Sequence, residues 1–434
     1  MNPLRLSLAA ALLAATSTFA ADGLPSWEHP PHQQTQGIFW REHWYQRGEE
    51  NHNPGYEKRL RVNPPEVVLH EKFGVRVEAR ENGLMLIKAE EDLFQITGAE
   101  FTMEMWGGHP GTAGKRLSVN GRNTYMLPQM GAEDGHCTYS YPVLPILRGD
   151  LVNGWNAMQL ALDQGTTFWG HMMVDEACLR VSLKPEHPDL AKARLADFTA
   201  TVQTSMEGDT RQLAITFPEA LTARIARVDY QAWYAGYDEN GNRRETDWHG
   251  FTHHRTPGAY AGTSEKAPFT AAWDTSLIPS QKNVGVRAFV RFADFPDLVY
   301  VTAAATALTV PDRPGTTVAL YTSHDLPQSF WSRDKNKKTC HIKLDIDPSK
   351  IERVELCVVT WTGGPGEVKD YFTLNGKHFP IADGTSHLPQ YNRLPVEPSL
   401  LKAGDNTLEL LSDTEHHGIE ITYPGPALMV RYRQ

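Results

Sequence analysis

The chain has 434 residues, with 42 Lys and Arg against 52 Asp and Glu and a net charge of −10. Its basic residues are dispersed, which excludes a nucleic-acid partner, because phosphates demand a basic face. Its four cysteines form no C-x-x-C pattern, so a zinc knuckle is excluded as well.

Taken in chain order, the first feature is Arg5, followed by an apolar run from Leu6 to Leu13 and small or polar residues ending Thr18-Phe19-Ala20. That is the layout of a secretory signal peptide over residues 1–20. Its apolar core is shorter than the roughly 20 residues a bilayer span needs, and no later stretch reaches that length. Export is therefore expected, to the extracellular space or a bacterial periplasm, with no membrane span in the mature chain. Residues 21–64 then read as an irregular arm carrying Trp27, Trp40, Trp44, Tyr45 and Tyr56 among prolines, histidines and charges. Rings of this size are expected to be covered, so the arm should latch onto the domain that follows it. Trp44 and Tyr45 are its candidates for the alternative, a face turned to a ligand.

Two stretches, 65–183 and 315–434, share an ordered set of features. Trp106-Gly107-Gly108 precedes Leu117-Ser118-Val119-Asn120-Gly121, as Trp361-Thr362-Gly363-Gly364 precedes Phe372-Thr373-Leu374-Asn375-Gly376. Gly154-Trp155-Asn156 opens one alternating strand and Gly404-Asp405-Asn406 another, and an apolar strand closes each stretch, at 177–183 and 427–432. Asn-Gly supplies the positive φ angles of a tight hairpin, and the alternation before it reads as strand. Trp106, Gly108 and Asn120-Gly121 recur at one offset of 255 and the later features follow in the same order, which implies an internal repeat. These features resemble the galactose-binding-like jelly roll of many carbohydrate-binding modules, where a V-N-G hairpin and a late G-x-N turn recur. The resemblance implies a β-sandwich and a lean toward sugar ligands, although that fold also serves other roles.

Between the copies, about 195–310, period-two alternation recurs in Leu213–Phe217, Val228–Tyr234 and Val284–Phe292. Trp273-Asp274-Thr275, then Ile278-Pro279 and a long strand, resembles bacterial immunoglobulin-like or fibronectin type III domains. Proline-bearing linkers at 184–194 and 311–315 are expected to bound it, and helical periodicity is confined to 188–198. The expected fold is all-β, a tandem of jelly-roll, immunoglobulin-like and jelly-roll sandwiches. Cys137 and Cys178 fall in the first copy and Cys340 and Cys357 in the second, so an oxidising destination permits one disulfide in each.

What both copies share is assigned to the scaffold, including Trp106, Trp361 and the Asn-Gly turns. Function is sought in unpaired material, and the densest such stretch is Asp247-Trp248-His249-Gly250-Phe251-Thr252-His253-His254-Arg255. Trp248 is suited to stacking on a pyranose face, with Asp247 and His249 hydrogen-bonding its hydroxyls. His249 and His253 have the i, i+4 spacing of a helical metal pair. Gly250 and Pro257-Gly258 favour a loop instead, and no H-E-x-x-H glutamate lies between them, so no metal and no other cofactor is expected. Glu415 and Glu420 are a weaker alternative as a glycosidase acid and base, against the plainer reading as turn residues. Tyr45, His52, Tyr56 and Arg59 are residue types a polysaccharide lyase uses. No G-x-S-x-G elbow, dinucleotide loop or P-loop lysine is present. The expectation is an exported carbohydrate-binding or polysaccharide-processing accessory protein. The alternatives are a lyase or hydrolase with its cleft where arm and domains meet, and an adhesion module with no small ligand.

Overall fold

The computed structural model describes residues 30–45, 60–65, 83–109, 111–127, 137–165, 172–241, 243–381, 387 and 389–434. The signal-peptide reading of 1–20, and the roles suggested for Trp27, His52, Tyr56 and Arg59, fall outside these residues. The fold is all-β, built of β-sandwiches in tandem. No helix among the described residues is long and apolar enough to cross a membrane.

A 12-stranded sheet forms the backbone of the first two sandwiches. Its main path runs Arg243–Trp248, Ile225–Asp238, Gln281–Phe292, Leu298–Val301, Ile38–Trp44, Met172–Leu183, Ile96–Trp106, Tyr139–Ser140. A four-stranded sheet (Leu84–Ala89, Gly154–Ala161, Arg116–Val119, Asn123–Met126) packs against its N-terminal part, and a three-stranded sheet of Thr201–Glu207, Thr210–Thr216 and Ala271–Asp274 belongs to its middle part. The C-terminal sandwich stands on its own five-stranded and four-stranded sheets with a separate core.

The arm departs from its expectation in an instructive way. Residues Ile38–Trp44 are a regular strand, pairing with Met172–Leu183 on one side and Leu298–Val301 on the other. The arm thereby zips two sandwiches into one sheet rather than lying over the first. Phe39 points into the shared sandwich core, while Trp40 packs on the opposite face with Phe289, Val299 and Val301. The stretch 184–194, expected as a linker, is also part of the structure. It holds a short helix, Pro188–Lys192, whose Leu190 is buried in the same core as Ala193, Leu195 and Phe198. Apolar residues there outweigh the local proline signal, because burying them costs less than leaving them in water.

Local chemistry explains the turns. Asn120 and Gly121 have φ of 49° and 66°, and Asn375 and Gly376 have 51° and 83°, as a tight hairpin turn requires. Each Asn also locks its hairpin to the next strand. Asn120 Nδ2 donates to Asn156 Oδ1 at 2.8 Å, and Asn375 Nδ2 donates to Asn406 Oδ1 at 2.8 Å. Asn156 returns bonds to the carbonyls of Val152 and Gly154, and Asn406 to those of Lys402 and Gly404. Both Asn156 and Asn406 are fully buried. Asn406→Ala strips several buried partners at once and is expected to cost about 2–4 kcal/mol, read as a lowered denaturation midpoint at unchanged m-value.

The disulfides permitted by the cysteine count do not form, and all four thiols are free and buried. Cys340 lies in the C-terminal core, whereas Cys357 faces the other way, toward Tyr237, Leu277 and Met429. Cys137 sits 3.4 Å from His109 Nδ1, and Cys178 lies near Glu42 and Arg180 on the outer face of the large sheet. In the C-terminal sandwich the two sulfurs lie on opposite sides of the strand Ile351–Thr362, so they cannot meet.

Candidate functional site

The strand Ile96–Trp106 alternates apolar and acidic residues. Phe101, Met103 and Met105 enter the sandwich core, so Glu100, Thr102 and Glu104 face the other side of the sheet. Its neighbour Met172–Leu183 does the same, placing Arg180 on that outer face. The register between the two strands shifts at Asp175, because Val174 pairs with Met105 and Glu176 with Glu104. An extra residue in one strand is a β-bulge, which re-aims side chains. Here it crowds Asp175 and Glu176 beside Glu104.

The histidine-rich stretch covers this face, as strand, turn and strand rather than as a loop. Arg243–Trp248 ends at His249 and Gly250, and Phe251–His253 pairs with Thr256–Gly258. Gly250 has a φ of 101°, and a Cβ there would run into Tyr260, so only glycine makes this turn. Folding back delivers His253 and His254 onto Glu104. His253 Nδ1 lies 3.0 Å from Glu104 Oε2, and the His254 backbone N–H donates to Glu104 Oε1 at 2.6 Å. Arg255 Nε lies 3.5 Å from Glu176, and its guanidinium sits 4.5 Å over the Trp44 ring. The C-terminal sandwich adds Tyr391, whose hydroxyl donates to Tyr141 Oη at 2.8 Å, and Tyr141 Oη lies 3.3 Å from His253 Nδ1. Tyr139 is hydrogen-bonded to Asp175. Residues from three sandwiches and the arm therefore converge.

Burial decides the charges. It pushes the Glu104 carboxyl up to about 8, with Glu176 and Asp175 adding to the shift. Burial pulls His253 down to about 4, and the His254 charge assists. The His253–Glu104 contact at neutral pH is thus a neutral hydrogen bond with the proton on the carboxyl, not an ion pair. His254 moves the other way, raised chiefly by its hydrogen bond to Glu176. The site holds a protonated carboxyl next to a second acidic residue on the directly paired strand.

A cleft of about 90 Å³ opens beside this cluster, lined by Trp44, Glu104, Glu176, Arg180, Asp247 and Trp248 among others. Of the six residues singled out in the sequence, Trp44, Asp247 and Trp248 meet here, and His253 adjoins through Glu104. Trp248 is 5% exposed and its ring face is taken by Arg287, whose guanidinium lies 4.0 Å away. A sugar finds no free face there, which removes the basis for stacking. Asp247 is lifted to about 6 by burial and spends Oδ1 on the Trp248 backbone N–H at 2.7 Å. His249 turns away from the cleft and is buried against Tyr234. Tyr45 packs on the core of the first sandwich. Glu415 is exposed while Glu420 is buried, near Cys137. Glu104, Tyr141 and Tyr391 were not singled out in the sequence. The signal that points to Glu104 is an acid alternating with core residues in an otherwise apolar strand.

Glu104, His253 and His254 present ligand atoms within 4.8 Å of one another, a set of metal-ligating types. His253 Nδ1 is already engaged by Glu104 and Tyr141, so a proton fills that role without an ion. The arrangement suits proton donation by Glu104, with Glu176 and His254 adjoining it.

Fold and site together define an all-β, multi-sandwich protein with a buried acid–histidine–tyrosine cluster at the junction. No model of a known protein family matches the chain, and no curated protein matches it in sequence. Solved structures with similarity include a β-porphyranase of glycoside hydrolase family 86 from the human gut bacterium Bacteroides plebeius. It is 12% identical, with a TM-score of 0.23, over 54% of this chain and 36% of that one. A β-glucuronidase from Ruminococcus gnavus is 10% identical, with a TM-score of 0.21, over 71% and 51%. A β-glucuronidase from an uncultured Clostridium is 8% identical, with a TM-score of 0.17, over 69% and 49%. The chain thus spans about a third to a half of the length of these proteins.

Proposed function

We propose that this is an exported carbohydrate-processing protein whose working site is the cleft between the arm strand, the first sandwich and the middle sandwich. The observation that carries this reading is the Glu104 carboxyl, held protonated at neutral pH beside Glu176. Glycosidic cleavage requires two acidic groups, one as proton donor and one as carboxylate partner, and Glu104 and Glu176 lie side by side. Directly paired residues on antiparallel strands have Cβ atoms about 5 Å apart, which lets both carboxyls address one bond. The cleft admits a glycosidic oxygen and a water but not a whole hexose. The sugar ring therefore rests on the rim, where the partly exposed Trp44 lies. Under this reading the flanking sandwiches are galactose-binding-like jelly rolls and the middle one is immunoglobulin-like, serving to present the glycan.

Incubation of the purified full-length protein with a panel of polysaccharides tests it. Release of reducing ends supports hydrolysis by Glu104. Unsaturated products absorbing in the ultraviolet would assign the chemistry to elimination, with Tyr141 and His253 as the acting groups. The narrowness of the cleft favours a second reading, glycan binding without turnover. Retention on a glycan array with every glycan recovered intact would select it. Failure to bind or alter any glycan defeats both.

A further inference from the structure

His249, which the cleft does not use, leads to a second cluster. Its ring is 1% exposed and stacks on Tyr234 at a centroid distance of 3.7 Å. Nε2 lies 2.7 Å from the Tyr234 carbonyl, an acceptor only, so Nε2 carries the proton and donates. That fixes the tautomer and leaves an in-plane lone pair on Nδ1, an atom that has no hydrogen-bond partner in the structure. Asp238 and Glu239, 3% and 5% exposed, bring carboxylates to the same place, and the three ligand atoms lie within 4.8 Å of one another. Glu239 Oε1 likewise lacks a hydrogen bond, and its nearest cation, Arg393, stands 3.9 Å off while donating to Glu355 at 3.1 Å.

Two buried acidic side chains and an imidazole, with ligand atoms within 4.8 Å of one another and with Glu239 Oε1 and His249 Nδ1 unpartnered, make a candidate cation site. We propose that Asp238, Glu239 and His249 bind one divalent transition-metal ion of the zinc type. Nitrogen and carboxylate oxygen are ligands that Zn²⁺ accepts, and three protein ligands leave it one open position. The hydrogen bond from Nε2 to a backbone carbonyl is the outer-shell support a metal-bound histidine uses. Ligand atoms about 2.0–2.2 Å from one ion lie about 3.3 Å apart, so binding draws the side chains inward by no more than about 1.5 Å. A void of about 330 Å³ is lined by Tyr234, which stacks on His249, and by Arg393, which stands 3.9 Å from Glu239.

Electrostatics support the geometry. Burial raises Asp238 to about 7, with Asp247 and Glu245 adding to the shift, and it raises Glu239 against the pull of Arg393.

The test uses full-length protein stripped with a chelator, dialysed against Zn²⁺ and then against metal-free buffer. Elemental analysis should find one Zn²⁺ per chain, thermal melts should shift upward with added Zn²⁺, and Co²⁺ should give visible d–d bands. Glu239→Gln should weaken Zn²⁺ binding at least about tenfold. Asp238→Asn provides the same comparison if that variant does not fold, and far-ultraviolet circular dichroism reports folding. His254→Ala, in the neighbouring cluster, should retain the metal. No retained Zn²⁺ and no melting shift in the wild type would overturn the proposal. So would a metal lost in His254→Ala but kept in Glu239→Gln.

Discussion

Glu104→Gln should reduce glycan cleavage by about 10²–10⁴-fold, the usual contribution of a positioned proton donor, while leaving the fold intact. Glutamine reproduces the neutral carboxyl. Its amide N–H can donate to His253 Nδ1, and its oxygen can accept the His254 backbone N–H that Glu104 takes at 2.6 Å. What it lacks is a transferable proton. The pH dependence has a definite sign. Glu104 is raised from 4.5 to about 8, so the donor form prevails below about 8 and cleavage falls as pH rises through that value. Stability runs with it. The folded state holds the proton over the window from about 4.5 to 8, where the unfolded chain has released it, so this residue progressively destabilises the protein as pH rises across that window. The glutamine variant should therefore melt at or above the wild-type temperature, with a margin that widens toward pH 8. A variant that lost activity and stability together at every pH would mark Glu104 as a packing residue instead.

Glu42→Gln should be the most destabilising single change in the arm, costing about 3–5 kcal/mol in urea denaturation. Glu42 lies on the arm strand, 5% exposed, and is the shared partner of Arg180 at 3.1 Å and Arg291 at 2.9 Å. Arg180 belongs to the first sandwich and Arg291 to the middle one. Against the cost of burial, Arg291 and Arg180 hold the Glu42 carboxyl at about 2. Removing its charge leaves two guanidiniums facing each other out of water. Because this pKa is depressed, the stabilisation is complete above about 4.5 and is lost as pH falls toward about 2. The variant should accordingly show a flatter acid-denaturation profile than the wild type in that window. A cost below about 1 kcal/mol would mean that backbone pairing alone seats the arm.

Much of the scaffold was legible because its signals are local. An Asn-Gly pair carries its turn in two adjacent residues, and alternation such as that of Leu84–Ala89, with every second residue buried, carries a strand in six. The G-x-N turn was readable for the same reason, although the bonds that Asn120 donates to Asn156 and Asn375 donates to Asn406 explain it only in three dimensions. The arm was read as a covering segment because its aromatics are conspicuous. Its true role depends on Glu42 and on pairing with strands far along the chain.

The candidate site was legible in part. The stretch 247–255 was picked out for its density of polar and aromatic groups, and it does supply His253, His254 and Arg255 to the cluster. The roles within it were not legible. His249 and His253 look like a spaced pair, yet the turn at Gly250 sends one toward Asp238 and Glu239 and the other toward Glu104. Trp248 looks like a sugar platform, yet Arg287 occupies its face.

By itself, then, the sequence determined an all-β chain of sandwiches, the places of its tightest turns and the segment from which the clustered histidines come. These follow from side-chain periodicity and backbone preferences over a few residues. The tertiary structure alone decided that the arm is a shared strand, that a bulge at Asp175 presses two acids against Glu104, and that Tyr391 closes the same cluster from the last sandwich. Each of these rests on strand register or on contacts between residues 100 or more positions apart, such as His253 with Glu104 at a separation of 149. Charge states follow the same division. A carboxyl at about 8 and another at about 2 are identical glutamates in the sequence, and only what surrounds them when buried sets them apart.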